Sequence, residues 1–377
     1  MRIAIIGPPS DVHLKRWGLA LREAGAEILF VGIGTAEPEL EPYYSIGPPL
    51  SRPRWIDFVR RRRALFEFLT SRKVDVAHPI HLTPSAVWVW LSGFRPYVPF
   101  AMGADVLEYV PNTSPIVRSW TLQSRSPTLL ATLTARMRRA LLPSLLRKVL
   151  QHSLLACADN YELCFSEKFF IKNKCILEVP AGISSKRWSG KGKFFLAPRG
   201  ATLLYQADII LDGYRLYLTQ GGTRPLILLA GGYPIHPEME AKAAELEINY
   251  PEKFFFFRKK IPEHEMEILW EQTAAFISAP VYDGYSYAVA EGRQRGALPI
   301  VNAIPAHLEI LTHGYNAWFV EPFTAENLAQ GLFEVDKLLQ GEHFWQERNQ
   351  KWISFFSDIK RNAQLFLSFV EERLRQR

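Results

Sequence analysis

Apolar and polar positions along this chain follow two periods in alternation, one of strands and one of helices. Arg2–Ile6 is a continuous apolar run, the pattern of a parallel strand covered on both faces. His13–Ala24 sets Leu14, Trp17, Leu21 and Ala24 on one helical face, and Gly25 stops it. Glu27–Val31 predicts a second strand, Ile56–Arg72 a helix, Val74–His78 a strand and Ser85–Leu91 a helix. Val98–Met102 predicts a strand that ends in the loop Gly103-Ala104-Asp105. A helix from about Ala135 to Gln151 contains Pro143, which predicts a kink. Leu154–Cys157 and Cys175–Val179 are the remaining strands of this half.

Pro180 to Gly192 is polar, glycine-bearing and aperiodic, the pattern of a crossing between domains. The alternation then restarts. Strands are predicted at Lys193–Ala197, Leu226–Ala230, Lys253–Arg258, Ala274–Ser278, Leu298–Asn302 and Ala317–Val320. Helices are predicted at Glu238–Glu247, Glu263–Glu271, Ala288–Gly296 and Ala325–Leu339, followed by one long aromatic helix ending at Arg377. A chain of 377 residues is long enough for two domains. The expected fold class is α/β, with two Rossmann-like, doubly wound domains facing an interdomain cleft. The expected domains are residues 1–182 and 193–355, with a closing helix over 356–377 that packs back on the first domain.

Composition narrows the class. With 48% hydrophobic and 22% charged residues the chain is a folded protein, not a disordered one. Cys157, Cys164 and Cys175 show no paired or metal-ligand spacing, which fits free thiols in a reducing cytosol. The apolar run at the N-terminus is too short for a signal peptide. No stretch of about 18 apolar residues lacks charge, so no spanning helix is expected.

The net charge of +7 is unevenly spread. Residues 1–190 hold 25 Lys/Arg against 15 Asp/Glu, whereas residues 191–377 hold 20 against 23. The excess lies mainly in residues 51–150, and Tyr109 to Ala158 contains no acidic residue. Arg60-Arg61-Arg62-Arg63 precedes Leu65, Phe66, Phe68 and Leu69, and Arg136, Arg138, Arg139, Arg147 and Lys148 alternate with leucines. Such a surface attracts anions, and it suits either an anionic bilayer or a solvated helix face. No recognition motif accompanies the charge, which argues against nucleic acid.

The stretch most suggestive of chemistry runs from Pro280 to Phe323. Asp283 opens the turn Gly284-Tyr285-Ser286-Tyr287, and Glu291 follows eight positions after Asp283. A turn of this kind offers backbone N–H groups to phosphate at a helix N-terminus. A carboxylate further along the helix is placed to take two ribose hydroxyls.

These residues, together with others in order, resemble the retaining GT-B nucleotide-sugar glycosyltransferases of family 4. Val179-Pro180-Ala181-Gly182-Ile183 stands where that family has its interdomain V-P-N-G-V/I segment. Pro198-Arg199-Gly200 stands at its donor loop, and Leu226 to Pro234, through Gly231-Gly232, at its L-x-I-V-G-x-G-P turn. Asp283 to Glu291 matches its E-x7-E motif with Asp for the first Glu. Ile304 to Leu311 and Gly314-Tyr315-Asn316-Ala317 match the segment that follows. The first half is looser, matching at His13-x-x-x-Trp17 and Gly103-Ala104-Asp105. Two positions depart: Leu204 stands where the family has its donor-loop lysine, and the loop near Met102 lacks the family's histidine.

The resemblance implies transfer of a sugar from a nucleotide-sugar to a hydroxyl acceptor, lipid-linked or saccharide, with retention, in cell-surface polysaccharide or glycolipid assembly. The expected location, from the cysteines and the basic region 51–150, is cytoplasmic, either free or peripheral on the inner face of the membrane. The resemblance implies no cofactor beyond the nucleotide-sugar co-substrate, and no metal: no Asp-x-Asp occurs in the chain. Arg199 is the expected diphosphate clamp, because a guanidinium binds phosphate bidentately. Asp283 is expected on sugar hydroxyls, or else as an ordinary turn cap, which Asp-Gly invites. Glu291 is expected on the ribose, Gly284, Tyr285, Ser286 and Tyr287 on sugar and phosphates, and Gly231 at the nucleotide. Asp105 either orients the acceptor or caps a turn; His13, His78 and His81 are acceptor-side candidates or ordinary histidines. The alternatives are a nucleotide-sugar epimerase and a non-catalytic sugar-nucleotide-binding relative.

Overall fold

The computed structural model describes residues 1–35, 40–48, 54–102, 129–159, 176–183, 192–232, 235–341 and 344–377, without the side chains of 54–56, 129–140 and 344. The expected loop Gly103-Ala104-Asp105 and the cysteines Cys164 and Cys175 lie outside the described residues. The chain divides into two compact units. Residues 1–114, 122–184 and 358–377 form one, and most of the second is residues 185–357.

In the first unit, β1 (Arg2–Ile6) pairs in parallel with β2 (Glu27–Gly32) and β4 (Val76–Pro79), and β3 (Tyr43–Ser45) lines the edge of β2. Bridges from Ala77 to Tyr97 and from Ile80 to Phe100 lead to β5 (Phe100–Ala101), β6 (Ala156–Ala158) and β7 (Ile176–Glu178), also parallel. The helix Val12–Glu23 starts at Asp11, whose side chain accepts a hydrogen bond from His13 N. The edge strand β3 was not indicated by the pattern, since its three residues Tyr43-Tyr44-Ser45 are too few to show a period.

The C-terminal stretch differs from expectation. It is not one long helix: Phe344–Trp352 is followed by a π-helical turn over Ile353–Ser357 and then by Ile359–Arg375. Asp358 stops and restarts the chain there, its extended backbone and carboxylate capping Arg361 N at 2.8 Å. The last helix belongs to the first unit. Its amide at Ile359 donates to Ile183 O, Asn362 Nδ2 donates to Pro180 O at 2.9 Å, and Phe366 meets Trp17 edge to face.

The second unit is a single parallel sheet. Its strands are β8 (Phe194–Ala197), β9 (Leu226–Leu229), β10 (Phe254–Phe257), β11 (Thr273–Ser278), β12 (Leu298–Val301) and β13 (Trp318–Phe319). They lie in the order β10-β9-β8-β11-β12-β13. Counted from β8, that is 3-2-1-4-5-6, the doubly wound order of dinucleotide-binding sheets. Side chains leave it on both faces. Phe195, Ala197, Leu226, Leu228 and Ile277 pack with the helices Ala207–Thr219, Pro237–Asn249 and Ala325–Leu338. Phe194, Leu196, Ile227, Leu229 and Phe276 face the opposite layer, which holds Trp270 and Val289 from the helices Glu263–Glu271 and Tyr287–Gln294. Burial on both faces is why these strands read as unbroken apolar runs.

The helix Ala207–Thr219 was not indicated by the sequence reading. Gly213, a helix-weakening residue, sits inside it. The glycine is a packing device here. A Cβ at that position would lie 2.9 Å from Leu328 Cδ2 and 3.0 Å from Ala325 O, so its absence lets two helices close together.

Candidate functional site

In an open doubly wound sheet the strand order reverses beside the first strand, and the loops leaving the C-terminal ends of the two strands there diverge to leave a crevice. In the second unit those strands are β8 and β11. The loop after β8 carries Arg199; the loop after β11 carries Asp283. The sequence therefore places the expected clamp and the expected sugar carboxylate, 84 positions apart in number, on adjoining loops.

The two loops are tied. Val281 N donates to Leu204 O at 2.8 Å, and Gln206 Nε2 donates to Ala279 O at 2.9 Å. Arg199 Nη1 lies 3.3 Å from Asp283 Oδ2. Its Nη2 donates to Tyr205 Oη at 3.1 Å, and the guanidinium stands 4.5 Å from the Tyr205 ring centroid. Both members of the ion pair are mostly covered, with side chains 20% and 16% exposed. A guanidinium fixed by an aromatic ring and one carboxylate presents a directed positive charge.

Asp283 Oδ1 accepts from Gly284 N at 2.9 Å, which locks the turn. Ser286 then adopts φ 53°, ψ 65°, a left-handed conformation that costs a non-glycine residue energy. It is buried, and its Oγ caps nothing and has no hydrogen-bond partner. Immediately after it begins the helix Tyr287–Gln294, whose N-terminus carries partial positive charge and donor N–H groups. Glu291 lies one turn in, half-buried. Tyr285 and Tyr287 meet edge to face at 5.0 Å. Gly292 allows this helix to lie on β11, because a Cβ there would stand 2.3 Å from Phe276 Cε1.

Gly231 lies in the turn two residues beyond β9 with φ 65°, as a tight turn there requires. Its loop adjoins that of β8 on the side away from Asp283. The structure thus brings Arg199, Asp283, Gly284, Ser286 and the helix bearing Glu291 to one end of the sheet. Gly231 is one strand further out, and Asp105 lies outside the described residues.

Two residues were not singled out from sequence. Thr202, on the loop after β8, has a buried Oγ1 without a hydrogen-bond partner. His307, in the short helix Pro305–Leu308 after β12, is fully buried. Its Nδ1 donates to Asn302 O at 2.9 Å, and Asn302 Nδ2 donates to Pro280 O at 2.8 Å, tying the loop after β12 to that after β11. Burial pushes the His307 pKa down, and the nearby charges of Asp283 and Arg199 pull it in opposite directions. Nothing in the one-dimensional pattern marks His307, because only the sheet order brings it beside Asp283.

The helix also carries Arg293, fully buried. Its Nε donates to Asn349 Oδ1 at 2.8 Å, and the guanidinium lies 4.2 Å from the Trp352 ring centroid. Burial lowers its pKa to about 10.

In the first unit the same switch point lies between β1 and β4. There His81 Nε2 and Asp11 Oδ2 are 2.6 Å apart. Burial raises the pKa of Asp11, but the hydrogen bond and charge of His81 outweigh it and hold it below its ordinary value. His81 adopts φ 72°, ψ 140°, which is strained for a side-chain-bearing residue. His13 donates its backbone N to Asp11 Oδ1 at 2.8 Å, and its charge also helps hold the Asp11 pKa down. His78 is a core residue: Trp17 Nε1 donates to its Nε2 at 2.9 Å, and its Nδ1 donates to Val98 O at 2.6 Å. Both nitrogens are engaged in the interior, so it has no role at a surface site.

No protein-family model and no curated protein sequence matches the chain. Solved structures do. A sucrose-phosphate synthase from Thermosynechococcus elongatus superposes with a TM-score of 0.76 at 12% identity, over the whole of both chains. A glycosyltransferase from Rickettsia africae gives 0.73 at 14% identity, covering 99% of this chain and 98% of that one. Anabaena HepE, in complex with UDP and glucose, gives 0.71 at 13% identity over 99% of this chain and all of the other. The chain has the GT-B fold. At these identities the likeness concerns the fold alone, and the GT-B assignment agrees with the two Rossmann-like units expected from the hydrophobic pattern.

Proposed function

We propose that this GT-B chain is a glycosyltransferase that moves a sugar from a nucleotide-sugar to a hydroxyl acceptor. The observation that carries the reading is the meeting of Arg199, Asp283 and the N-terminus of the helix Tyr287–Gln294 at the switch point of the second sheet. The fold neighbours lend support in class: one is a sucrose-phosphate synthase, and another was solved with UDP-glucose.

The chemistry follows from the leaving group. The bond between the sugar's anomeric carbon and the β-phosphate oxygen breaks, and negative charge grows on the diphosphate. Arg199 and the helix N-terminus take up that charge. Diphosphate competes with Asp283 for Arg199, leaving the Asp283 carboxylate to hold sugar hydroxyls. Glu291 holds the ribose, and Gly231 borders the nucleotide. The acceptor oxygen forms the new bond to the anomeric carbon and passes its proton to the departing diphosphate oxygen. Retention of configuration and independence from metal belong to this proposal on the strength of the motif resemblance. So does Asp105 as the acceptor-orienting carboxylate.

The acceptor side is proposed to be lipid-linked or saccharide, with the protein at an anionic membrane surface in cell-surface polysaccharide or glycolipid synthesis. Among the described residues no helix is long and apolar enough to cross a membrane. The helix Arg54–Ser71 instead carries Arg60 to Arg63 beside Phe66, which is 40% exposed. Sedimentation with vesicles containing anionic lipid, and none with neutral vesicles, is the expected result.

A second reading, a non-catalytic sugar-nucleotide binder, is favoured by Leu204 at the position of the family's donor-loop lysine. Incubating the protein with UDP-, GDP- and ADP-sugars separates these. Slow donor hydrolysis that disappears in Glu291→Ala supports the transferase. Binding without turnover supports the second reading, and conversion to a new nucleotide-sugar without acceptor indicates an epimerase.

A further inference from the structure

We infer that His307 reads the donor's sugar, its Nε2 accepting a hydrogen bond from a sugar hydroxyl beside Asp283. The inference rests on the nucleotide-sugar reading and adds the residue that recognises the sugar ring.

Three observations carry it. First, the tautomer is set by the fold. Nδ1 donates to the Asn302 carbonyl, so Nε2 presents a lone pair. Second, the imidazole is completely buried, yet Nε2 has no hydrogen-bond partner. A buried polar atom left without a partner costs stability, and such atoms in native proteins call for an explanation. Third, Asn302 and Asp283, the two polar residues tied to it, offer acceptors. Asn302 Oδ1 is buried without a partner, and Asp283 Oδ2 faces Arg199 alone at 3.3 Å. With Nδ2 of Asn302 already donating to Pro280 O, the atoms left over on His307, Asn302 and Asp283 are acceptors, whereas the unpartnered hydroxyls of Ser286 and Thr202 remain able to donate to a phosphate.

That character identifies the ligand. A diphosphate offers only acceptors and leaves Nε2 unsatisfied. A ring bearing free hydroxyls offers donors, and it matches Nε2, Asn302 Oδ1 and the Asp283 carboxylate together. The diphosphate goes to Arg199 and the helix N-terminus, and the sugar goes to the acceptor-lined side. His307 follows β12 and Arg199 follows β8, so the two side chains come from different loops although the Arg199 charge reaches the imidazole. Nucleotide and sugar recognition are thereby separable by mutation.

The test compares affinities for a nucleoside diphosphate and for the same diphosphate carrying a hexose, using UDP with UDP-glucose, GDP with GDP-mannose and ADP with ADP-glucose. His307→Asn keeps a donor for the Asn302 carbonyl and removes the acceptor at the reach of Nε2. His307→Gln keeps an acceptor at that reach. For the base that the wild type binds, His307→Asn is expected to hold the diphosphate as the wild type does. It loses about tenfold for the nucleotide-hexose, the size of one hydrogen bond. His307→Gln stays within about threefold of the wild type for both, since its amide oxygen replaces the acceptor. Equal losses for diphosphate and nucleotide-hexose in His307→Asn, or wild-type affinity for both, overturn the assignment. Loss in His307→Gln as large as in His307→Asn does so as well. Failure of the wild type to bind any of the six ligands is a different result, because it removes the nucleotide-sugar reading itself.

Discussion

At the scale of single residues, the proposed site depends on a side chain held by geometry and not by sequence neighbours. Arg199 is kept in place by Tyr205 and Asp283. Its removal takes away a preorganised cation aimed at developing charge, a loss that typically lowers turnover on the order of 100-fold. Arg199→Ala is therefore expected to lose about that factor in donor hydrolysis while melting near the wild-type temperature, since the side chain is not part of a core cluster. A rate within a few-fold of the wild type removes Arg199 from the mechanism. His78 carries a different consequence. Burial pushes its pKa down to about 4, from about 6.5 when unfolded. The folded state then binds fewer protons than the unfolded one in this range. The stability that neutral His78 contributes is present above pH 6.5 and is lost as pH falls toward 4, roughly 2 kcal/mol of it by pH 5. Urea unfolding followed at pH 7 and pH 5 is expected to show this loss, and a His78→Asn variant is expected to show a shallower decline.

Legibility at this scale was partial. Arg199, Asp283 and Glu291 could be proposed from motif order, and the structure brings the first two together at 3.3 Å. His307 and Thr202 could not be, because their significance lies in burial without a partner, which a sequence does not display. Arg293 shows the same limit: a charged residue on a short helix reads as solvated, yet Trp352 and Asn349 enclose it.

At the scale of elements, the helix Tyr287–Gln294 is the part on which the site turns. Its start is set by the left-handed Ser286 and its seat by Gly292 against Phe276. Gly292→Ala forces a Cβ to within 2.3 Å of the Phe276 ring, so β11 and the helix separate. Overpacking of this kind costs about 1–3 kcal/mol. The expected outcome is a lower melting temperature together with weakened nucleotide binding, measured by calorimetry; a variant as stable as the wild type contradicts the packing described. The cap at Asp358 gives a second element-scale expectation. Asp358→Ala removes the acceptor for Arg361 N and is expected to cost about 1 kcal/mol, read as a lower unfolding midpoint. Strands and most helices were legible because both faces of these sheets are covered and apolar runs betray them. The helix Ala207–Thr219 was obscured by Gly213, whose purpose appears only once Leu328 is packed on it. The break at Asp358 was obscured because apolar residues continue on both sides of the cap.

At the scale of the whole molecule, the four-stranded sheet of the first unit and the six-stranded sheet of the second are built by one rule, with strand order reversing beside the first strand of each. Both switch points carry an acid paired with a basic side chain: Asp11 with His81 in the first unit and Asp283 with Arg199 in the second. The alternation of strands and helices made this doubling legible, and the solved structures agree with it across nearly the whole chain. Charge divides the chain in the same sense, basic in the first half and slightly acidic in the second. A nucleotide that binds the folded chain alone raises its melting temperature by mass action. The most direct measurement is a crystal structure of the protein with whichever of UDP, GDP or ADP raises that temperature most. The account predicts a diphosphate on Arg199 and the amides that open the helix Tyr287–Gln294, with the ribose on Glu291. A nucleotide bound in the second unit away from these residues, or only within the first unit, contradicts it.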